Sequence, residues 1–191
     1  MTTVTVLGTG NMGTAISTLL TQGDNSVQVL GSADSGTPVT GDVVVLAVPH
    51  TALAEIVATR GASLAGKVVV DITNPVDFST FDSLVVPADG SATAQLAASL
   101  PQSHVLKAFN TNFAATLAAG AVGDQTTTVL VAGDDTEAKA TLVDLVTAAG
   151  LKAVDAGTLR RARELEALGF LQLTLAASEK INWTGGFAVI A

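Results

Sequence analysis

The 191-residue sequence has no cysteine, no tyrosine, a single tryptophan and only two histidines. Without cysteine there can be no disulfide framework and no thiolate nucleophile. Lysine and arginine together number 9 against 17 aspartates and glutamates. That net charge of −8 argues against nucleic acid or an anionic membrane surface as a partner. Apolar runs fall far short of the roughly 20 residues that cross a bilayer. The first residues enter a strand with no basic leader segment, so the expectation is a soluble, cytoplasmic protein. Hydrophobic residues, by contrast, make up 48% of the chain. This is enough for a substantial core, with an apolar surplus available to a subunit interface. The length predicts a single domain over 1–191, in which 158–191 forms a C-terminal helix and tail.

The most informative stretch is the opening one. Val4-Thr5-Val6-Leu7 is a β-branched apolar run that reads as a buried strand, and Thr14 to Leu20 reads as a helix with an apolar stripe. Between them stand Gly8-Thr9-Gly10-Asn11-Met12-Gly13, with glycines in the spacing G-x-G-x-x-G. In that setting the first glycine permits a tight turn, the second lets backbone approach a pyrophosphate, and the third lets helix pack on strand. The helix N-terminus then offers unpaired N–H groups to phosphate. The motif therefore predicts a dinucleotide site.

Strands and helices alternate beyond it. Strands are expected at 26–30, 42–48, 67–72, 104–109, 126–132 and 151–154. Helices are expected from Pro49 through about Ala58 with Thr51 or His50 near the cap, over 91–100, over 136–149 capped by Asp134 and Asp135, and over 158–180. Phe78 and Phe81 are expected to anchor the segment between strand four and the next helix. Only a brief loop separates the second and third strands, where a crossover helix usually stands. The alternation implies an α/β, doubly wound, mainly parallel sheet with a short helical C-terminal appendage. Ligands bind outside the carboxyl ends of such strands. That rule gathers 8–13, 31–34, 48–50, 73–75 and 109–113 on one edge.

Several motifs together carry a resemblance: Gly8 to Gly13, Gly31-Ser32, Ala47-Val48-Pro49, Gly133-Asp134-Asp135, and Asp155-Ala156-Gly157-Thr158-Leu159 leading to Arg163-Glu164 and Glu166. In this combination the chain resembles the NADP oxidoreductases that act on the deazaflavin coenzyme F-420, over nearly its whole length. The resemblance implies a Rossmann domain that binds NADP(H) and passes hydride to or from a flavin-like acceptor. Where the family commonly places an arginine after its Gly-Ser pair to hold the 2′-phosphate, this chain has Ala33.

An NAD-selective site wants a carboxylate at the end of strand two. Here that end is Gly31-Ser32, and the nearest acid, Asp34, reads as a solvated turn residue. No lysine or arginine lies between Asp34 and Thr59. NADP is favoured over NAD, mostly on the resemblance. Val48-Pro49 is expected to press on the cofactor near its ribose, and Thr73-Asn74-Pro75 with Phe109-Asn110-Thr111 to form the floor where nicotinamide and acceptor meet. Asn74, Asn110 and Asn112 could hydrogen-bond a carboxamide or a ring carbonyl. His50 is either a donor to the acceptor or a capping surface histidine. Lys107 reads as an edge-strand charge more readily than as a buried amine reaching the site. Arg160, Arg161 and Arg163 read as a solvated face paired with Glu164 and Glu166. No metal site is expected.

The helix from 158 is apolar on nearly every side around Leu168 to Ala177, which predicts a homodimer built on it or a tail folded over its own sheet. In the dimer, Trp183 or Phe187 would wall an acceptor site open to solvent or shared between subunits. The leading expectation is an NADP-dependent oxidoreductase with a small, diffusible flavin- or deazaflavin-like redox partner. Two alternatives stay open: reduction of a small carbonyl or imine, which needs a proton donor such as His50 or Lys107, and a dinucleotide-binding sensor without turnover.

Overall fold

A computed structural model describes residues 2–190. Its main sheet is built from β1 (Thr3–Leu7), β2 (Ser26–Leu30), β3 (Val43–Leu46), β4 (Val68–Asp71), β5 (His104–Lys107), β8 (Thr128–Gly133) and β9 (Lys152–Gly157). A small hairpin, β6 (Ala121–Val122) and β7 (Gln125–Thr126), lies apart from it. The sheet order is β2-β1-β3-β4-β5-β8-β9. The first five strands are parallel, β8 runs antiparallel to β5, and β9 is parallel to β8.

Strand composition explains the layering. A strand covered on both faces reads as a continuous apolar run rather than an alternating one. Val43-Val44-Val45-Leu46 is such a run, with every side chain essentially inaccessible. Val43 and Val45 face a core shared with α1 (Asn11–Gln22), α4 (Ala114–Ala119) and α5 (Thr136–Ala148). Val44 and Leu46 face a second core shared with α2 (Leu53–Leu64) and α3 (Ala92–Ser99). The period-2 geometry of a strand assigns successive valines to opposite cores. Helices on both faces make the sheet doubly wound, as expected.

The order of strand addition reverses at β1. The α1 crossover places β2 on one side of β1, whereas the short connection after β2 returns the chain to β3 on the other side. Ligands lodge at this kind of switch point in open α/β sheets. The Gly8 N–H donates to Leu30 O at 2.8 Å, and the Ala47 N–H to Leu7 O at 2.8 Å, so the three strand exits are stitched side by side.

Some expectations need correction. The segment after Pro49 opens with a 3-10 turn (His50–Ala52) without a side-chain cap, and α2 continues to Leu64 rather than ending near Ala58. Asp135 does cap α5, accepting from the Ala138 N–H at 2.8 Å, but Asp134 instead accepts from the Leu159 N–H at 2.9 Å. Phe78 and Phe81 pack edge-to-face on each other at 5.2 Å, and Phe78 remains 63% exposed, so neither anchors the core. The last helix, α6, is α-helical over Ala162–Ala177 after a 3-10 turn. Among the described residues no helix is long and apolar enough to cross a membrane.

Candidate functional site

The three motif glycines have different reasons to be glycine. Gly8 has φ +121°, and a Cβ there would lie 2.0 Å from Ala47 O. A Cβ on Gly13 would lie 2.1 Å from Gly8 O. Both answer to the close packing of β1, α1 and the exit of β3. Gly10 does not. Its backbone is extended, with φ −73° and ψ −175°, which any residue adopts. A Cβ there would meet nothing within 4 Å. It is also the N-cap of α1, where no side chain caps the helix and the first turn carries no acid. The chain's own packing leaves the space over Gly10 open, and that open cradle, beside unpaired helix N–H groups, fits a diphosphate.

From Asn11 and Met12 a cavity of about 380 Å³ extends across the carboxyl ends of β4 and β5. Ile72, Asn74, Phe109, Asn110, Asn112, Phe113, Leu173 and Trp183 line it. The structure thus brings together most of the residues expected at the acceptor end. Phe109 is wholly buried with φ +61°, an unusual conformation for an aromatic residue. Trp183 packs on Phe113 with ring centroids 5.0 Å apart, so the tail lies against its own chain. Thr73, Pro75 and Thr111 are buried beside this floor without lining the cavity. Phe187 also lies outside the lining, and its N–H donates to Gln172 Oε1 at 3.3 Å.

The hydrogen bonds of the asparagine amides limit what this floor can still bind. Asn74 Nδ2 donates to Asn110 O at 2.8 Å, while Asn110 Nδ2 donates to Asn74 Oδ1 at 2.9 Å and to Leu165 O at 2.7 Å. Asn112 Nδ2 donates to Thr128 O at 3.0 Å. Backbone carbonyl partners define which amide atom is nitrogen. Asn74 is therefore tied to its neighbour through its oxygen and one N–H. Asn110 Oδ1, Asn112 Oδ1 and Thr73 Oγ1 are buried with no partner. Buried acceptors without donors are rare and costly, and the two amide oxygens, on residues that line the cavity, suit an N–H donor such as a carboxamide better than a ring carbonyl.

Sequence reading missed the frame that holds this floor. Lys107 does not lie on an edge strand; it sits in β5, inside the sheet, fully buried. Its ammonium lies 3.0 Å from Asp71 Oδ2 and 3.0 Å from Glu166 Oε1, and donates to Thr73 O. Glu166 is no solvated helix charge either. It accepts from the Ala92 N–H at 2.9 Å and the Thr93 N–H at 3.2 Å, and its Oε1 lies 3.1 Å from the Thr93 hydroxyl oxygen. Asp71 accepts from the Thr73 N–H at 2.8 Å and the Thr93 hydroxyl at 2.7 Å. Gly169 was missed as well. A Cβ there would lie 2.4 Å from Asn74 Oδ1, so only glycine lets α6 press on the Asn74–Asn110 pair. A single polar residue in an apolar strand and a glycine inside an apolar helix were the available signals.

At the other end, Gly8, Gly31, Ser32 and Val48 line a second cavity together with Arg60. The Asp34 carboxylate is turned back to accept from the Gly31 N–H at 2.8 Å. Arg60 donates to Asp34 O at 2.5 Å and to Thr37 O at 2.8 Å. It directly follows the Asp34–Thr59 stretch that lacks lysine and arginine, on the part of α2 that runs beyond the helix end expected near Ala58. The Ala47 carbonyl lies against Gly8, and Pro49 stands just before the 3-10 turn that leads into α2. His50 lies in a separate groove between α2 and α3, its Nδ1 buried and without a partner. Arg163 pairs with Glu164 and Arg161 lies near it, as expected of a solvated face.

No family model matches the chain. It is 29% identical over 171 residues to the F420-dependent NADP reductase of Methanocaldococcus jannaschii, covering 87% of this chain and 76% of that protein. The crystal structure of a candidate F420-dependent NADP reductase from Arthrobacter sp. superposes with a TM-score of 0.85 at 25% identity, covering 100% of both chains. A 105-residue stretch is 38% identical to the rat metalloreductase STEAP3, covering 55% of this chain and 20% of that protein. In sequence along most of its length, and in fold throughout, this chain is similar to the F420-dependent NADP reductases, as its motifs imply.

Proposed function

We propose that the chain is an NADP-dependent oxidoreductase that exchanges hydride with a flat, diffusible acceptor of the flavin or deazaflavin type. The observation that carries this reading is Gly10, a glycine required by neither conformation nor packing, with empty space above it. The relatives' names support NADP as the cofactor and a deazaflavin as the acceptor class. When bound, a nicotinamide supplies or takes up hydride at its C4 position. The chain's own task is to bind and orient. Backbone at Gly10 and the start of α1 would hold the diphosphate, and Val48 with Pro49 would bear on the ribose. The unpartnered oxygens of Asn110 and Asn112 would accept from a carboxamide, while Phe109, Phe113 and Trp183 keep water off the ring faces. Such a transfer needs no protein proton relay, which agrees with a cavity lined by amides and apolar groups. The same reading takes the protein as a homodimer through α6.

The test uses Gly10→Asp. Aspartate is a good N-cap, so the variant is expected to melt at or above the wild-type temperature. Its carboxylate would occupy and repel from the diphosphate cradle, and NADPH binding is expected to fall at least tenfold. Undiminished NADPH binding in the folded variant overturns the reading. A screen of NADPH oxidation with FMN, FAD, coenzyme F420, ferric chelates and small carbonyls then identifies the acceptor class. Tight binding with no acceptor reduced would point to a sensor instead.

A further inference from the structure

We propose that Arg60 is the residue that selects a 2′-phosphorylated dinucleotide, holding the wall of the pocket with one edge of its guanidinium and offering the other to the phosphate. This rests on the dinucleotide reading above and adds the group that discriminates NADP from NAD.

The cavity at the exits of β1 and β2, about 160 Å³, is lined by Gly8, Gly31, Ser32, Ser35, Val48 and Arg60. In a fold of this kind the adenosine ribose lies beyond the end of the second strand, and a nearby arginine accommodates a 2′-phosphate. Strand β2 ends at Leu30, and no cation follows it in the loop. Arg60 reaches that loop from α2 instead. One Nη donates to Asp34 O and the other to Thr37 O. A guanidinium carries five N–H donors, so Nε–H and one N–H on each Nη remain without a partner among the described residues. No carboxylate lies within ion-pair distance of it among those residues. In a chain of net charge −8, a half-buried arginine fixed by two carbonyls and left without a counter-ion is a placed cation awaiting an anion.

Neither acid nearby pairs its carboxylate with Arg60. Asp34, the nearest acid after strand β2, does not line the cavity, and its Oδ2 accepts from the Gly31 N–H. Glu55 borders the cavity but is exposed. Ser32 and Ser35 supply small hydroxyl side chains that leave room for a phosphate and can donate to it.

The experiment compares NADPH and NADH binding by nicotinamide fluorescence, with 2′,5′-ADP and 5′-ADP as competitors. It uses the wild type, Arg60→Gln and Arg60→Lys. The wild type is expected to prefer NADPH and 2′,5′-ADP. Arg60→Gln should lose about 10- to 100-fold in affinity for both while NADH binding is unchanged, and Arg60→Lys should recover part of the loss. The wild-type preference should weaken with added salt, since it is electrostatic. Equal loss of NADPH and NADH would mean that Arg60 serves only the loop, and unchanged NADPH binding that it serves neither; each overturns the proposal. A wild type that binds both dinucleotides without preference overturns this proposal alone. One that binds neither overturns the functional reading as well.

Discussion

The Lys107 ammonium and the Glu166 carboxylate lie 3.0 Å apart, with side chains 0% and 1% exposed. This contact ties α6 to the middle of the sheet directly beneath the asparagine floor. Asp71 shares the same cation, and the Thr73 backbone is held from both sides, its N–H by Asp71 and its carbonyl by Lys107. The turn that carries Asn74 is thus positioned by a buried charge cluster.

Removing the shared cation should be severe. Lys107→Met leaves two buried carboxylates facing each other, and loss of one member of a buried pair costs about 3–5 kcal/mol. Urea unfolding is expected to show a loss in that range. Lys107→Met combined with Glu166→Gln should be less destabilised than the sum of the single changes, because the neutral amide removes one of the stranded charges. Additive losses would show that the two side chains are not coupled.

Gly169 gives a sharper local test. Gly169→Ala would place a methyl 2.4 Å from Asn74 Oδ1 and 2.9 Å from Asn110 O, forcing α6 away from the pair. Overpacking of this kind costs about 1–3 kcal/mol. Nicotinamide binding should fall with it, whereas Gly10→Asp is expected to lose binding at little cost in stability. Thermal melts and NADPH titrations of the two variants should therefore separate a glycine kept for packing from one kept for a ligand.

Much of this frame could be read from the chain because local pattern encodes it. A β-branched run, a glycine turn and an apolar helix stripe announced β1, its turn and α1, and the β2–β3 connection was short enough to predict its missing helix. What escaped depends on tertiary partners. Glu166 lies beside arginines in sequence, yet it faces Lys107 across the fold, and nothing local distinguishes it from Glu164. Gly61 and Ser63 weaken helix propensity, whereas packing of Leu64 into the second core carries α2 past its expected end near Ala58. Arg60 lies on that continuation of the helix. The reversal of β8 was also invisible, because a strand's direction is decided by its neighbours and not by its own residues.

Trp183 is the only tryptophan and is 52% exposed where it packs on Phe113 at the cavity rim. Its emission should be quenched when NADPH binds, giving a titration free of any label. Trp183→Ala removes an aromatic contact of the size that is worth about 0.5–1.5 kcal/mol. The acceptor KM is then expected to rise about two- to tenfold, with NADPH affinity unchanged. Unchanged emission and unchanged KM would place the tail outside the working site.

Acid pH should act on the far edge of the sheet through Asp155. Hydrogen bonds from Lys139, and then from the Gly157 N–H, hold its carboxyl below the ordinary value of 3.8. Because the folded value is depressed, the stabilisation is present above the unfolded value and is lost as pH falls through the folded one. With Asp155 53% exposed, solvent screening limits the pair to about 0.2–1 kcal/mol. Asp155→Asn should therefore be slightly less stable than the wild type near neutral pH. Chemical unfolding at low pH should bring the two together, and added salt should narrow the gap at neutral pH. A gap that stays constant on acidification would assign the effect to something other than this charge.

The outward side of α6 bears on oligomeric state. Ala162, Leu165, Gly169 and Ala176 are buried against the protein's own body, while Leu168, Phe170, Leu173 and Leu175 are half-buried and Leu171 is 49% exposed. A specific interface buries about 800 Å² per partner, and an apolar helix face continued by Trp183 and Phe187 is the natural place for it. Sedimentation is expected to give a concentration-dependent dimer for the wild type. Leu171→Glu sets a charge on that face without touching the residues that pack inward, so it should yield a folded monomer with an unchanged melting profile at low concentration. Should the monomer reduce the acceptor as well as the dimer does, the acceptor site is complete within one chain. A loss of acceptor turnover with NADPH binding intact would place a partner residue at the cavity mouth.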